Sequence, residues 1–395
     1  MSKHYQYLIV GGGMTADAAV QGIREADPRG TIGVLSGEPD PPYNRPPLTK
    51  GLWKGDSLES IWRNAAKTQA ELHLGCRARS LDLWRRQITD DEDREFSFDK
   101  LLLATGGEPR RLPLGSEGIV YYRTVRDYHL VRELSQKGRR FAVIGGGFIG
   151  SEIAAALALN QKQVIMLFRG AGIGSRMFPP DLVSFLQQYY RDRGVEVLPG
   201  EQATSLEKTG DQYRLRTGSG KEFLVDGVIA GLGIRPNVQL AEAAGLRIQE
   251  GIVVDEFLQT SHPEIFAAGD VAAFYNPALG RRIRVEHEDN ANSMGRQVGR
   301  NMAGKPDRYV HLPFFYSDLF DLGYEAVGDT DSRLTMSADW KEPFREGVIY
   351  YQHEGQVRGV VLWNVWGRVD AARRLIASRK HFRLEELKEQ LLEAA

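Results

Sequence analysis

Residues 7–16 read YLIVGGGMTA, and residues 141–150 read FAVIGGGFIG. In each stretch a short apolar run ends in three glycines and is followed by small residues. Such a run predicts a buried parallel strand, and the glycines predict a tight turn into a helix. We expect one helix over residues 14–26 and another from the glycines at 145–147 to about Asn160. The same strand–turn–helix unit therefore occurs twice in one chain.

Further apolar runs extend both units. Residues 31–35 and 101–107 predict strands of the first unit, the latter ending in glycines, and residues 164–168 and 228–233 predict strands of the second. The stretch IFAAGD at 265–270 resembles a piece of the first unit again. We therefore expect the second unit to be inserted into the first.

Three other regions have a different character. The prolines between residues 39 and 47 predict a rigid, non-helical excursion. Residues 72–76, which end at the sole cysteine, predict a short buried segment. From about Val310 onward the pattern is no longer that of the two units. Residues 347–351 and 357–363 predict an antiparallel hairpin, and residues 367–378 and 384–393 predict two amphipathic helices.

Composition excludes several classes of protein. Lysine plus arginine (51) balances aspartate plus glutamate (52), which disfavours a dedicated nucleic-acid binder. A single cysteine cannot form an internal redox dithiol, and the scattered histidines show no metal-site spacing. No signal peptide and no apolar run of membrane-spanning length are evident. We expect a cytoplasmic protein without a membrane span and without a metal.

The glycine turns match the dinucleotide-binding fingerprint. Gly11-x-Gly13-x-x-Ala16 and Gly145-x-Gly147-x-x-Gly150 each follow a predicted strand. The first glycine permits the turn, and the second lets a pyrophosphate approach the helix N-terminus. Either match alone could be a plain glycine turn. Two of them, together with ATGG (104–107) and AGD (268–270), favour two bound dinucleotides, FAD and NAD(P)H.

These assignments give a complete domain prediction. The fold class is α/β, with two Rossmann-like dinucleotide-binding domains and a C-terminal α+β domain. The predicted FAD-binding domain comprises residues 1–117 and 250–309. The NAD(P)-binding domain is inserted at residues 118–249, and the C-terminal domain spans residues 310–395.

Four further segments carry a family resemblance. They read PYNRPPLTKGLW (42–53), RVEH (284–287), FYSD (315–318) and GVVLWN (359–364). With them the chain resembles the FAD/NAD-linked reductase superfamily, which has the glutathione-reductase-like fold. Within that superfamily it is similar to the ferredoxin and rubredoxin reductases, and more closely to the apoptosis-inducing factor subfamily. The resemblance covers nearly the whole chain.

The resemblance implies four catalytic candidates. Lys50 would lie at the reactive edge of the flavin, where a cation stabilises the charge of the reduced ring. Glu152 would pair with Lys50 and so bridge the two nucleotide domains, although its position also suits a surface carboxylate. Phe148 would stack between flavin and nicotinamide, with core packing as the alternative. His287 is a candidate proton source, and a packing or hydrogen-bonding role stays equally open.

The same resemblance implies the cofactor contacts, to which Lys50, Glu152, Phe148 and His287 also belong. The others are Gly11, Gly13, Met14, Thr15, Ala16, Glu38, Arg45, Ala104, Thr105, Gly106, Gly145, Gly147, Ile149, Gly150, Arg169, Gly233, Gly269, Asp270, Glu286 and Tyr316.

Three positions depart from the family pattern. Gly37 stands where an acidic residue usually binds the adenosine ribose, and the neighbouring Glu38 or the backbone would have to take that contact. The equivalent stretch of the second unit, 168–170, contains Arg169 and no carboxylate. Arginine suits the 2′-phosphate of NADP, so Arg169 and Arg176 leave the choice between NADH and NADPH open. The family resemblance slightly favours NADH. Tyr316 replaces the usual tryptophan.

Three functions compete at this point. The first is an NAD(P)H oxidoreductase like apoptosis-inducing factor, with a long-lived charge-transfer complex and dimerisation on reduction. The second is an electron-transfer reductase that serves a small ferredoxin or rubredoxin, with the basic cluster at 281–284 as a docking surface or as plain solvated surface. The third is an interaction module whose flavin is structural. The candidate partners are the nicotinamide nucleotide, a small electron carrier and a second copy of the chain.

Overall fold

The computed structural model of the protein describes residues 3–63, 68–114, 117–388 and 390–392. These residues form two compact units. Unit 1 takes its residues from the stretches 1–45, 58–108 and 235–314, and unit 2 from 46–57, 109–234 and 315–395. Unit 2 thus interrupts unit 1 twice and also includes the last part of the chain.

The elements are as follows, in chain order. The helices are α1 (Met14–Ala26), α2 (Val125–Lys137), α3 (Phe148–Leu159), α4 (Pro180–Arg191), α5 (Gln239–Ala243), α6 (Glu288–Met302) and α7 (Val369–Ala377). The strands are β1 (Lys3–Val10), β2 (Ile32–Ser36), β3 (Glu71–Leu74), β4 (Ala78–Asp82), β5 (Gln87–Asp90), β6 (Glu95–Leu103), β7 (Gly107–Pro109), β8 (Ile119–Tyr121), β9 (Arg140–Ile144), β10 (Gln163–Phe168), β11 (Val195–Pro199), β12 (Ala203–Thr209), β13 (Gln212–Thr217), β14 (Glu222–Val225), β15 (Gly227–Ala230), β16 (Ile234–Pro236), β17 (Ile252–Val253), β18 (Ile265–Ala267), β19 (Ala272–Asn276), β20 (Arg281–Ile283), β21 (Phe314–Leu319), β22 (Leu322–Gly328), β23 (Thr335–Glu342), β24 (Glu346–His353) and β25 (Gln356–Trp363).

Unit 1 is built on one large sheet. Its strands lie in the order β3-β2-β1-β6-β5-β4, and β18 also pairs with β6. β1 is parallel to both β2 and β6, and β18 is parallel to β6. β1, β2 and β18 are short apolar strands because both faces of a parallel sheet are covered. A smaller sheet, β17-β19-β20, belongs to the same unit.

Helices α1 and α6 of unit 1 pack closely because α6 carries glycines along the contact. A β-carbon at Gly299 would clash with the carbonyl oxygen of Ala19, and one at Gly295 would clash with that of Thr15. Small residues at these positions let the two backbones touch. This packing fixes α1, and therefore the turn that begins it.

Unit 2 contains a second parallel sheet and two antiparallel sheets. The parallel sheet has the order β11-β10-β9-β15-β8, and the strands β12-β13-β14 form a small antiparallel sheet. The last sheet has the order β21-β22-β25-β24-β23, with α7 on β25 and β22. Its centre is the fully buried Trp363, whose ring stacks on Tyr324 at 5.6 Å between centroids.

Most of the element predictions are confirmed. Helix α1 has the predicted bounds, α3 ends one residue before Asn160, and the predicted hairpin is the pair β24–β25. β18 joins the sheet of unit 1, as the predicted insertion requires. The mixed α/β fold class is confirmed as well. The three-domain division at residues 117, 249 and 309 stays a prediction.

The predicted amphipathic helix over residues 384–393 is wrong. The described part of that stretch contains only a 3-10 helix, Leu384–Leu387, and its hydrogen bonds join residues three apart. Leu387 and Leu391 are buried, but a stretch this short gains too little from two apolar contacts to hold an α-helix. The helical spacing of apolar residues in this stretch therefore reflects only the burial of Leu387 and Leu391.

Two smaller predictions are corrected. The excursion over residues 39–47, predicted as non-helical, ends in the 3-10 helix Pro46–Thr49. Proline does not prevent this, because its fixed φ suits the first turn of a helix. The segment 72–76 is not buried as a whole, since Leu74 is 39% exposed while Cys76 is 1% exposed. Burial raises the pKa of the Cys76 thiol to about 12, so Cys76 is protonated at neutral pH.

Candidate functional site

The first glycine turn joins β1 to α1 in unit 1. Gly11 has φ of +118°, and a β-carbon there would clash with the carbonyl oxygen of Ala104. Gly13 caps α1 without a side-chain hydrogen bond, and a β-carbon there would meet nothing within 4 Å. The N–H groups of the first turn, at Met14 and Thr15, therefore begin a helix with open space in front. Ala16 is buried at 1% exposure.

The second turn, from β9 to α3 in unit 2, repeats this geometry. Gly145 has φ of +127°, and a β-carbon at Gly150 would clash with the carbonyl oxygen of Gly145. Gly147 caps α3 and is as open as Gly13. Ile149 is 38% exposed beside it. Gly233 follows β15 with φ of +78° and open space at its β-carbon position.

These two turns fit two pyrophosphates. Each pairs a tightly packed glycine with an unobstructed one at an uncapped helix N-terminus, where the positive end of the helix dipole attracts an anion. The close packing explains why glycine is needed at positions 11 and 150. The open positions serve no packing purpose, so they fit the approach of a ligand.

A loop of unit 1 lies against the first turn. The Thr105 hydroxyl donates to the carbonyl of Asn237 at 2.7 Å, and the Asn237 amide donates back to the Thr105 carbonyl at 2.9 Å. The Asn237 N–H also donates to Gly106. Asn237 was not predicted from the sequence, and no local pattern signals it because its partner is 132 positions away.

The 3-10 turn after β18 completes this end of the sheet. Gly269 has φ of +76°, and a β-carbon there would clash with the Thr15 hydroxyl. Asp270 is only partly buried, and its carbonyl accepts from Arg284 at 3.0 Å. The structure therefore brings the predicted residues of the first turn, the loop at 104–106 and Gly269-Asp270 together in unit 1.

Glu38 and Arg45 contact each other. They form an ion pair, and the Tyr43 hydroxyl donates to Glu38 at 2.7 Å. Burial alone would lower the pKa of the Arg45 guanidinium, but Tyr43 and Glu38 raise it overall. Arg45 therefore keeps its positive charge, and Glu38 is held in place at the end of β2.

His287 precedes α6 as its N-terminal cap residue. Burial lowers the pKa of its imidazole to about 4, against the opposing effect of Asp270 and Asp289. At neutral pH the ring is uncharged, so it can donate through one nitrogen and accept through the other. The neighbouring Glu286 pairs with Arg284 at 2.7 Å.

The Lys50–Glu152 pair is the centre of the candidate site in unit 2. The predicted pairing is present, with 2.7 Å between Lys50 Nζ and Glu152 Oε1. The side chains are 11% and 3% exposed, and both residues lie in unit 2. Thr49 and Ser317 donate to the same carboxylate. The sequence analysis did not single them out, although both lie in the quoted family segments.

Aromatic rings surround this pair. Lys50 Nζ lies 5.1 Å from the centre of the Tyr316 ring. The neighbouring Phe315 lies 4.8 Å from Phe148, centroid to centroid. Phe148 is 42% exposed at the start of α3, so it is not a core residue. An exposed aromatic ring beside a buried cation suits the binding of a flat, electron-rich ligand.

The arginines singled out earlier differ in their environments. Arg169 and Arg176 are exposed in unit 2. In the cluster at 281–284 of unit 1, Arg282 donates to the carbonyls of Val254 and Ala273, and Arg284 is occupied with Asp270 and Glu286. The guanidinium groups of Arg282 and Arg284 therefore have structural contacts.

The described residues contain neither a membrane-length apolar helix nor a cluster of three potential metal ligands. These findings concern only the described parts of the chain.

The chain has clear relatives. The sequence pattern of the pyridine nucleotide-disulphide oxidoreductases matches residues 5–295, and that of the C-terminal region of mitochondrion-associated apoptosis-inducing factor matches residues 335–378. Apoptosis-inducing factor 1, mitochondrial, of Dictyostelium discoideum is 33% identical over 96% of this chain and 79% of its own length. Putidaredoxin reductase CamA of Pseudomonas putida is 32% identical over 83% of this chain and 81% of its own length.

A solved structure shares the fold. The covalent putidaredoxin reductase–putidaredoxin complex has a TM-score of 0.89 at 30% identity, and the match covers 95% of this chain and 93% of that one. The predicted superfamily, with its similarity to both apoptosis-inducing factor and ferredoxin-type reductases, is confirmed. The protein is an FAD-dependent NAD(P)H oxidoreductase. The chain belongs to the pyridine nucleotide-disulphide oxidoreductase family.

Proposed function

We propose that this protein takes electrons from NAD(P)H in the manner of apoptosis-inducing factor and holds them, with Lys50 stabilising the reduced cofactor. The observation that carries the proposal is the buried Lys50–Glu152 pair, with the exposed Phe148 one helical turn before Glu152 on α3. When bound, FAD supplies the redox chemistry by accepting hydride from the nicotinamide and releasing electrons to an acceptor.

The chain's own residues have separate tasks in this proposal. The open helix N-termini at Gly13 and Gly147 bind one pyrophosphate each, the first for FAD and the second for NAD(P)H. Glu38 and Arg45 contact FAD, as do the loop at 104–106 and Gly269-Asp270. From the family resemblance, Phe148 and Ile149 would bind the nicotinamide, and Glu286, His287 and Tyr316 would each contact the flavin. Arg169 lies beside the adenosine end of the nicotinamide nucleotide.

In this proposal Lys50 contributes a positive charge that stabilises the reduced cofactor. An ammonium group that is 11% exposed is screened little by water, so it stabilises an anion close to it strongly. Glu152 keeps this ammonium in place and offsets its cost of burial. The uncharged His287 offers a hydrogen bond at neutral pH, because its imidazole takes up a proton only near pH 4.

Anaerobic titration of the purified protein tests the proposal. NADH and NADPH are added in separate experiments while the visible spectrum is recorded, and air is then admitted. We expect the flavin to bleach, to develop a broad long-wavelength band and to reoxidise slowly. A flavin that neither nucleotide reduces would favour the interaction module instead. Comparison of the two nucleotides tests the slight preference for NADH.

A pair of lysine variants sharpens this test. Lys50→Gln should slow flavin reduction roughly a hundredfold, which is typical of removing one group that stabilises developing charge. Lys54→Gln is the matched control, because Lys54 lies four residues away and is 49% exposed. Equal reduction rates in the two variants would contradict the role of Lys50.

The second candidate is a reductase for a small electron-carrier protein. The match to the putidaredoxin reductase–putidaredoxin complex favours it. In that case the titration shows bleaching without the long-wavelength band and fast reoxidation, and an added iron–sulfur carrier is reduced with rapid turnover. Arg281→Glu would then weaken the binding of an acidic carrier, because Arg281 is the most exposed arginine of its cluster.

A further inference from the structure

Glu152 is a buried carboxylate with donors on both of its oxygens. Its Oε1 accepts from Lys50 Nζ at 2.7 Å and from the Ser317 hydroxyl at 2.6 Å. Its Oε2 accepts from the Thr49 hydroxyl at 2.5 Å. Two hydroxyl groups from distant parts of the sequence therefore converge on the residue that pairs with Lys50.

Both hydroxyl groups are themselves buried. Thr49 is 6% exposed and ends the 3-10 helix Pro46–Thr49. Ser317 is 0% exposed in β21, and its side chain also hydrogen-bonds Tyr324 of β22. The Thr49 hydroxyl is 2.5 Å from Glu152 Oε2 and 3.4 Å from the carbonyl oxygen of Pro46, so Glu152 is its closer acceptor.

The two hydroxyl donors hold the carboxylate in one orientation. A carboxylate removed from water holds its charge only when hydrogen-bond donors replace its lost hydration. The terminal torsion of glutamate is broad, and contacts on both oxygens restrict its rotation more than the Lys50 contact alone. Without the hydroxyls the carboxylate would be freer to rotate, and Lys50 would lose its fixed partner.

We propose that Thr49 and Ser317 are positioning residues that fix the Glu152 carboxylate and thereby hold Lys50 Nζ in place for reduction of the cofactor. The inference rests on the proposed role of Lys50. It assigns no contact between either hydroxyl and the cofactor. Both act only through Glu152.

Thr49 offers a matched set of variants for the test. Thr49→Val keeps the shape and removes the hydroxyl, whereas Thr49→Ser keeps the hydroxyl. Thr217→Val is the control, since Thr217 is 4% exposed in the same unit and its hydroxyl contacts Ser219. The readouts are the rate of flavin reduction by NADH, the flavin midpoint potential measured with a chemical reductant, and the melting temperature.

We expect Thr49→Val and Ser317→Ala to slow flavin reduction about tenfold, which corresponds to one hydrogen bond to a charged group. Their midpoint potentials should fall, while Thr49→Ser and Thr217→Val match the wild type. In a Glu152→Gln background, Thr49→Val should add no further effect. A lowered melting temperature with an unchanged rate and potential would show a purely structural role and overturn the proposal.

The two readouts separate this inference from the proposed function. If neither NADH nor NADPH reduces the wild-type flavin, the proposed function fails, yet the potential still reports on Lys50. If the wild type is reduced and Thr49→Val retains its potential, only the positioning inference fails. Should Ser317→Ala not fold, the Thr49 variants decide the question alone.

Discussion

Gly147 and Gly150 lie on the same turn, yet the space around them differs. A methyl group at Gly147 meets no atom within 4 Å, whereas one at Gly150 clashes with the Gly145 carbonyl oxygen. Gly147 also has φ of −91°, which alanine adopts without strain. The two positions therefore separate ligand binding from folding.

We predict opposite effects for the two alanine variants. Gly147→Ala should raise the KM for NAD(P)H roughly tenfold or more, because the methyl group blocks the approach of the pyrophosphate. Its melting temperature should stay close to the wild type. Gly150→Ala should destabilise the fold by about 1–3 kcal/mol through overpacking against backbone. Steady-state kinetics and thermal melting of both variants check this, and an unchanged KM for Gly147→Ala would argue against the binding role.

His287 makes the stability of the fold depend on pH, and the direction of that dependence follows from its pKa. Its pKa is about 4 in the folded protein and about 6.5 in an unfolded chain. Between these values only the unfolded state binds the proton, so stability falls as the pH falls from about 6.5 to about 4. We expect a loss of roughly 1–3 kcal/mol over this window.

Urea denaturation at several pH values measures this effect. His287→Asn should flatten the slope between pH 6.5 and pH 4, while asparagine still serves as a helix cap. His353→Asn, at an exposed position, should leave the slope unchanged. The prediction fails if the two variants behave alike.

At the scale of elements, the last sheet of unit 2 depends on one indole ring. Trp363 in β25 is 0% exposed, stacks on Tyr324 of β22, and donates its N–H to the carbonyl of Phe344 at 3.0 Å. A ring that is both packed and hydrogen-bonded holds its neighbours in one arrangement.

Truncation of this ring should be severe. We predict that Trp363→Ala lowers the free energy of unfolding by about 3–5 kcal/mol, as is typical of large buried aromatics. Trp84→Ala should change it by no more than about 0.5 kcal/mol, because Trp84 is 98% exposed. Chemical denaturation of the two variants makes the comparison, and similar losses would refute it.

Elements with a local signal were predictable, and contacts between distant segments were not. The apolar runs and glycine turns identify β1, α1, β9 and α3 because strand, turn and helix follow one another within 24 residues or fewer. The donors Thr49, Ser317 and Asn237 became visible only in the structure, since their partners lie more than one hundred positions away. The apolar periodicity of residues 384–393 misled because two buried leucines do not stabilise a helix.

At the scale of the whole molecule, the resemblance to apoptosis-inducing factor implies a second copy as partner. From that resemblance we predict that reduction by NADH increases the dimeric fraction of the 44.2 kDa chain. Sedimentation velocity of the oxidised and the NADH-reduced protein measures this. An unchanged sedimentation coefficient in the two states would contradict redox-linked dimerisation.

The pairing of β18 with β6 has a consequence for biosynthesis. Leu101, Leu102 and Leu103 of β6 meet their partners in β18 only after residues 109–234 have been made. While the ribosome synthesises the inserted stretch, the nascent chain therefore exposes the unpaired apolar edge of β6. Such an edge is a template for aggregation, so the ribosome-bound intermediate is a natural client for a chaperone.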